Sequence, residues 1–457
     1  MDRQAVAQRA AARGKYLQRF LENLMSPSFS SSELAPAPPA PPAPQPAPER
    51  VNPVSAVLTV AGIVAFAVWK PALAQQIGVF LLTLGVLVFV HEWGHYQFAR
   101  WAGMKVNRFG LGFPPWVFTV RRNNIDYSLG ALPIGGMVDI AGLGSEEEMV
   151  ADVKGETVAN PTRGRNPNAP FGQKQFQDAS LGWRFWTLFA GPLMNFLFAM
   201  TVFIGVYSLV GMPDKATGTN VIEMVQPGMP AADAGLQSDD KVVAVNGVKT
   251  TSPEQITKII RSNVDKPLQF SIERGGQSLS KSITPKMDEL TGPDNKIEKL
   301  PLVGVIFSRH IDSYKRLSLP EAAQEGWDNA TGITQQIFGL LGRVATFKLT
   351  KDDKRGVGGP IKIAQAVGAS ARRGWQDAVL MAAALSVNLG LLNLLPFPAL
   401  DGGRILFLGY ELVMRRPLDP RKEGIVHAVG MVMLFAFMIF ISVRDILPMF
   451  PFFHGLH

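Results

Sequence analysis

The sequence predicts an α-helical, polytopic membrane protein with a small β-rich domain inserted between its spans. Three observations predict it. Several apolar segments approach the roughly 20 residues that cross a bilayer. Between them, residues 211–310 switch to short alternating strands punctuated by turn signals. One apolar segment near the C-terminus is broken by Asn393, Pro396, Pro398 and an Asp-Gly-Gly.

Composition narrows the class. The 457 residues are 47% hydrophobic and only 18% charged, which departs from a typical soluble chain. The net charge of +8 does not read as a nucleic-acid footprint, because the basic residues flank apolar runs and no nucleic-acid-binding signature accompanies them. With no cysteine, the chain has no disulfides, iron–sulfur clusters or thiolate metal sites. Any zinc would be held by imidazole and carboxylate. The imidazoles are His91, His95, His310, His427, His454 and His457.

In chain order, residues 1–25 read as a basic helix (Arg3, Arg9, Arg13, Lys15, Arg19), followed by a Pro/Ala-rich linker to residue 52. Residues 53–75 read as an extra transmembrane helix. A signal peptide ending at Ala72-Leu73-Ala74 is the other reading, but about fifty residues precede it, more than a charged leader region carries. Residues 76–210 hold two strong spans, 77–99 and 185–210. In 211–310, alternation at Val242–Val245 and Leu268–Ile272, turns at Asn246-Gly247 and Gly275-Gly276, and a helix near 252–262 give a small β-rich domain. Residues 311–375 are amphipathic and are expected on the membrane surface or against that domain. Residues 376–457 give one crossing, an unwound stretch, a short helix and a final span at 424–447. Unwound backbone at membrane depth is tolerated only where it is buried in protein or lines a cavity, so residues 393–403 mark a site inside the membrane.

Basic residues set the orientation. Arg415, Arg416, Arg421 and Lys422 precede the last span, and Arg100, Lys105, Arg108, Arg121 and Arg122 follow the 77–99 span. Both loops should be cytoplasmic, which puts the β-rich domain outside.

The chemistry is concentrated in His91-Glu92-Trp93-Gly94-His95. Two histidines four apart share one helix face and can meet one metal, and the glutamate between them is placed to take a proton from water delivered there. Ionisable groups at the end of an apolar span are costly and functional by default. Helix-end histidines facing water would leave the spacing and the glutamate unexplained. A catalytic zinc needs a third protein ligand. The candidates are Asp401, on unwound backbone at a helix start, and His427, at the start of the last span. Asp401 is the better of the two, although Asp is also a leading N-cap residue.

These motifs, with Asn393-Leu394-Leu395-Pro396-Phe397-Pro398-Ala399-Leu400-Asp401-Gly402 following later in the chain, resemble the site-2 protease family of intramembrane zinc metalloproteases, in particular its bacterial regulator-of-sigma-E branch. The resemblance runs from about residue 77 to 447. It implies Zn2+ held by His91, His95 and Asp401, Glu92 as catalytic base, and Asn393 and Asn195 as substrate-binding residues. Gly191-Pro192 and Asn195 match the family's G-P-x-x-N. Residues 108–136 look like its membrane-associated β-hairpin, residues 217–285 resemble a PDZ domain, and Gly358–Ile361 match a short element before the third core helix.

The fold so implied is an α-helical polytopic membrane protein with a membrane-associated β-hairpin region and an inserted small α/β PDZ-like domain. The implied activity is endopeptidase cleavage of single-span membrane protein substrates in the lipid bilayer of the bacterial inner membrane, for example an anti-sigma factor or remnant signal peptides. A peptide ligand for the PDZ-like domain is also implied. Pro114-Pro115 in the hairpin, the single PDZ-like module and the long N-terminal extension depart from the pattern. The rival readings are a catalytically silent scaffold that recruits partners through that module, and a zinc transporter or sensor. The transporter would need more polar residues across several spans.

Overall fold

Four helices of the computed structural model are long and apolar enough to cross a membrane, among the described residues: α1 (Pro71–Trp101), α2 (Leu181–Leu209), α7 (Trp375–Asn393) and α9 (Pro420–Ile446). The structure describes residues 67–143, 166–226, 228–291, 297–350, 358–416 and 420–446, with Ala65, Asp353 and Leu418. The extension 1–52, most of segment 53–75, His454 and His457 lie outside them.

Lys70-Pro71, which interrupts the apolar run in the sequence, is where α1 begins. Proline fits the first helical turn, where its missing N–H is not needed. The outward faces carry large exposed apolar residues, such as Leu82 and Phe89 on α1 and Val432 and Phe440 on α9. In water that surface would be unstable. In lipid it needs no cover.

After α1 the chain forms two long strands, β1 (Val106–Arg122) and β2 (Ile125–Ile140), joined by Asn123-Asn124 in left-handed conformation. The hairpin is not simple. Residues 106–111 pair with 136–140 on one side (Phe109↔Val138, Leu111↔Gly136) and with 126–129 on the other (Phe109↔Tyr127, Leu111↔Leu129). Residues 116–122 pair back onto 125–130. Each strand is therefore bent, and the two make a four-segment sheet with 136–140 at one edge. Tyr96, Phe109, Ile125, Ile140, Phe176 and Leu188 form the core that fastens this sheet to α1 and α2.

The inserted domain holds β3 (Met212–Val225), α3 (Pro230–Asp233), β4 (Lys241–Val245), β5 (Val248–Lys249), α4 (Pro253–Arg261), β6 (Leu268–Arg274), β7 (Gln277–Ile283), β8 (Lys286–Thr291), β9 (Ile297–Leu302) and β10 (Val305–Lys315). Its main sheet runs β10-β3-β4-β6-β7, with β5 beside β4, and β8 pairs with β9 separately. β6 alternates as the sequence does: Leu268, Phe270 and Ile272 point inward and Gln269, Ser271 and Glu273 outward. Burying each of those large side chains contributes about 1.5–3 kcal/mol. Asn246-Gly247 and Gly275-Gly276 all have positive φ, the two-residue turn geometry of tight hairpins.

A buried ion pair pins this domain. Arg274 donates to both oxygens of Asp240 (2.6 and 2.7 Å), whose side chain is fully buried. Burial pushes the Asp240 carboxyl up, but the Arg274 hydrogen bonds and the Gln237 N–H outweigh it and hold it below the usual carboxylate range. A depressed folded-state pKa contributes stability above the unfolded value of about 3.9, and that stability is lost as pH falls through the lowered value. Proteolytic resistance of the domain in the intact protein should therefore fall below about pH 4. Arg274→Ala should cost about 1.5–3 kcal/mol at neutral pH, read as faster cleavage of the domain by an added protease.

Two helices follow the domain. α5 (Leu319–Ala345) does not rest on the inserted domain. Ala322, Gly326 and Ala330, each four apart, form a stripe of small residues packed on α2 and α7, with Gly326 against Phe203. Small residues let helix backbones approach closely, and that spacing, not average polarity, decides where α5 sits. α6 (Pro360–Arg373) packs on α1, α7 and α9, and Gly359 N–H donates to Asp445 (2.7 Å). α7 then unwinds after Asn393, and the chain restarts as α8 (Asp401–Met414).

Candidate active site

Three helices and one loop converge on His91, His95 and Asp401. One ligand atom from each lies within 4.8 Å of the others. His91 Nε2 and His95 Nε2 are 3.2 Å apart, and Asp401 Oδ2 is 3.1 and 3.3 Å from them. Both histidines are buried.

The hydrogen bonds behind the rings decide what faces inward. His95 Nδ1–H donates to the Thr187 carbonyl of α2 (2.7 Å), which leaves Nε2 as a bare lone pair. Pro192, inside α2, has no N–H to give to the Leu188 carbonyl one turn back, next to Thr187. The Asn195 amide nitrogen lies 3.2 Å from His91 Nδ1, while its buried oxygen has no hydrogen-bond partner among the described residues. Exchanging the two ends of the amide by a flip about its last bond satisfies that oxygen with Nδ1–H and frees His91 Nε2 in the same way. Asp401 Oδ2 also has no hydrogen-bond donor. Three acceptors thus face one another across about 3 Å, which is repulsive unless a cation sits among them. Zinc–nitrogen distances of about 2.0–2.1 Å set a tetrahedral donor–donor edge of about 3.3–3.4 Å. The observed triangle is close to that size, so the residues fit the ion.

Close backbone packing makes the triangle possible. A Cβ on Gly94 would strike the Ala190 carbonyl, so α1 and α2 touch between the two histidines. A Cβ on Gly191 would fall on both imidazoles. Ser386 of α7 donates to the Asn195 carbonyl (2.9 Å), and Gly390 lies against Pro192. Asp401 is the first residue of α8; its N-cap is Leu400, and no side-chain cap bond forms. Carbonyls of Leu394, Leu395 and Phe397 press on Gly402 and Gly403, where side chains would not fit. At the far end of α8, Glu411 accepts two hydrogen bonds from Arg184 of α2 (2.9 Å each) in a buried bidentate pair.

Glu92 is half-buried next to this triangle, accepts the Val138 N–H of β2, and lies against Gly136. The sheet edge at 136–140 therefore borders the site. Asn393 ends α7, half-buried, with no side-chain hydrogen bond among the described residues. Asn195 is fully buried behind His91. His427, the other ligand candidate, is buried on α9 and accepts the Ala399 N–H, outside the triangle. Thr187, Ser386 and Val138 act through backbone or helix-to-helix contacts, and nothing in the sequence signalled them.

The model of peptidase family M50 matches residues 79–437. The chain is 32% identical over 431 residues to the zinc metalloprotease RasP of Geobacillus kaustophilus, covering 81% of this chain and 97% of that one. It is 30% identical to the zinc metalloprotease RasP of Oceanobacillus iheyensis, covering 81% and 98%. Among solved structures it is similar to the PDZ domain of an SdrC-like protein from Listeria innocua, at 21% identity and a TM-score of 0.16, covering 22% of this chain and 99% of that one.

Proposed function

The chain belongs to peptidase family M50, the site-2 protease family, and we propose that its zinc is held by His91, His95 and Asp401 with Glu92 as the proton carrier. It is a zinc-dependent intramembrane endopeptidase and an integral membrane protein. The observation that carries the assignment of residues is the buried triangle of three acceptors with a carboxylate at its side.

When bound, zinc supplies Lewis-acid chemistry, polarising a peptide carbonyl and acidifying water. The residues do the rest. Thr187 and Asn195 hold the two rings in the tautomer that faces inward. Glu92 takes the proton of the attacking water and returns it to the leaving nitrogen, while Val138 N–H keeps its carboxylate turned to the site. The role we assign to Asn195 is thus orientation of His91, and substrate contact falls to Asn393, whose amide makes no hydrogen bond among the described residues at the end of α7.

A transmembrane helix hides its carbonyls in hydrogen bonds, so a substrate must unwind to be cut. The edge at 136–140 offers it replacement partners by strand addition, next to Glu92. The substrates are single-span membrane proteins of the bacterial inner membrane. The inserted domain, on the outer face by the charge of the flanking loops, acts as a PDZ-like filter that admits trimmed substrates. The test is incubation of the purified protein in detergent with a model single-span substrate, the products being mapped by mass spectrometry. Cleavage inside the span, abolished by a zinc chelator and restored by zinc, is expected. Cleavage confined to the flanking soluble segments would sink the proposal.

A further inference from the structure

His427 lies in none of the positions this chemistry uses, yet it is buried to 3% exposure and touches the segment that delivers Asp401. Its Nδ1 accepts the Ala399 N–H at 3.0 Å. Ala399, two residues before Asp401, has φ of +79°, a conformation that an L residue keeps only when its surroundings enforce it. One turn along the same face of α9, Gly430 lies so close to Pro398 that a Cβ would overlap both its side chain and its carbonyl. The His427 ring also meets Phe407 of α8 edge to face, with centroids 5.4 Å apart. α9 therefore holds the loop and the helix on either side of Asp401 at once.

We propose that His427 is a positioning residue for the metal site: its Nδ1 fixes the strained Ala399 peptide and so aims the Asp401 carboxylate at the two imidazoles. The proposal rests on the reading of Asp401 as a ligand. The other backbone donors of the loop are spent locally, Leu394 and Leu395 N–H on the Leu391 and Leu392 carbonyls at the end of α7, Phe397 N–H on Leu395 and Leu400 N–H on Phe397. Among the described residues the Ala399 N–H alone reaches α9, so the His427 contact is the hydrogen bond that ties the loop to that helix. A ring that merely filled space would leave this peptide free to relax out of its left-handed conformation and to swing the carboxylate away.

The test compares His427→Asn, His427→Gln and His427→Leu in the full-length protein in detergent. Zinc affinity is read by competition with a chelating indicator, and fold by circular dichroism and monodisperse elution. The Asn side-chain oxygen stands where Nδ1 stood, whereas that of Gln stands nearer Nε2 and past the Ala399 N–H. His427→Asn should bind zinc within about threefold of wild type, while Gln and Leu should weaken it by about 10- to 100-fold, the usual cost of losing an orienting partner. Adding Ala399→Gly to His427→Gln should recover most of the loss, because glycine adopts positive φ unaided. If Leu fails to fold, the Asn and Gln pair carries the test. Equal affinities for Asn and Gln, in either direction, overturn the proposal. Asp401→Ala is made in parallel. If it keeps wild-type zinc affinity, the premise about Asp401 is what failed, and the proposal goes with it.

Discussion

Glu92→Gln should cut the rate of cleavage of a single-span substrate by about 10²- to 10⁴-fold, the usual contribution of a positioned proton carrier, while zinc content stays at the wild-type level. The two halves of that result come from separate parts of the geometry. Glu92 is not among the three converging ligand atoms, so its replacement leaves them in place. Glutamine keeps the shape of the side chain and an oxygen for the Val138 N–H, so the sheet edge should not move. Only the ability to take and return a proton disappears. Cleavage and metal content, measured on one preparation, decide the matter. A mutant that loses zinc as well would show Glu92 supporting the ligand set, and a mutant that still cleaves would place the base elsewhere. A silent scaffold gives a third pattern, with wild type and mutant equally inactive.

The parts of this molecule that were legible in the sequence are those set by local period and spacing. Spans follow from apolar length, and the two histidines follow from a four-residue repeat on a helix that α1 provides. The unwound stretch after Asn393 follows from Pro396, Pro398 and the paired glycines, and it is where Asp401 emerges. What could not be read was decided by tertiary contact. The resemblance implied a hairpin at 108–136, but a hairpin does not by itself say that residues 106–111 pair on both edges and bend the strands into four segments. Asn195 could be matched to a motif, yet its place behind His91 comes from the packing of α2 on α1. His427 read as a helix-end residue because nothing local ties α9 to the loop at Ala399. The N-cap reading of Asp401 failed for a similar reason: the helix starts one residue earlier than a cap would require, which turns the carboxylate inward.

Gly191→Ala should reduce zinc occupancy by at least about tenfold, the order of effect expected when metal ligands lose their alignment, and should abolish cleavage with it. On propensity alone the change should help, since alanine favours a helix interior by about 1 kcal/mol over glycine. The neighbours reverse that sign. The added Cβ would land on His95 Nε2 and His91 Cε1, the two rings whose nitrogens form one side of the triangle. Those rings cannot retreat without breaking the hydrogen bond to the Thr187 carbonyl or the contact with Asn195. Gly205→Ala on the same helix is the control, because a Cβ there meets nothing within 4 Å. It should keep zinc and activity and match or slightly exceed wild-type stability. If both variants lose zinc alike, glycine matters to α2 as flexibility along the helix. If only Gly191→Ala does, it matters as the space in which the imidazoles sit, and the G-P-x-x-N motif is then a ligand-seating device: a gap for the rings and an amide for His91.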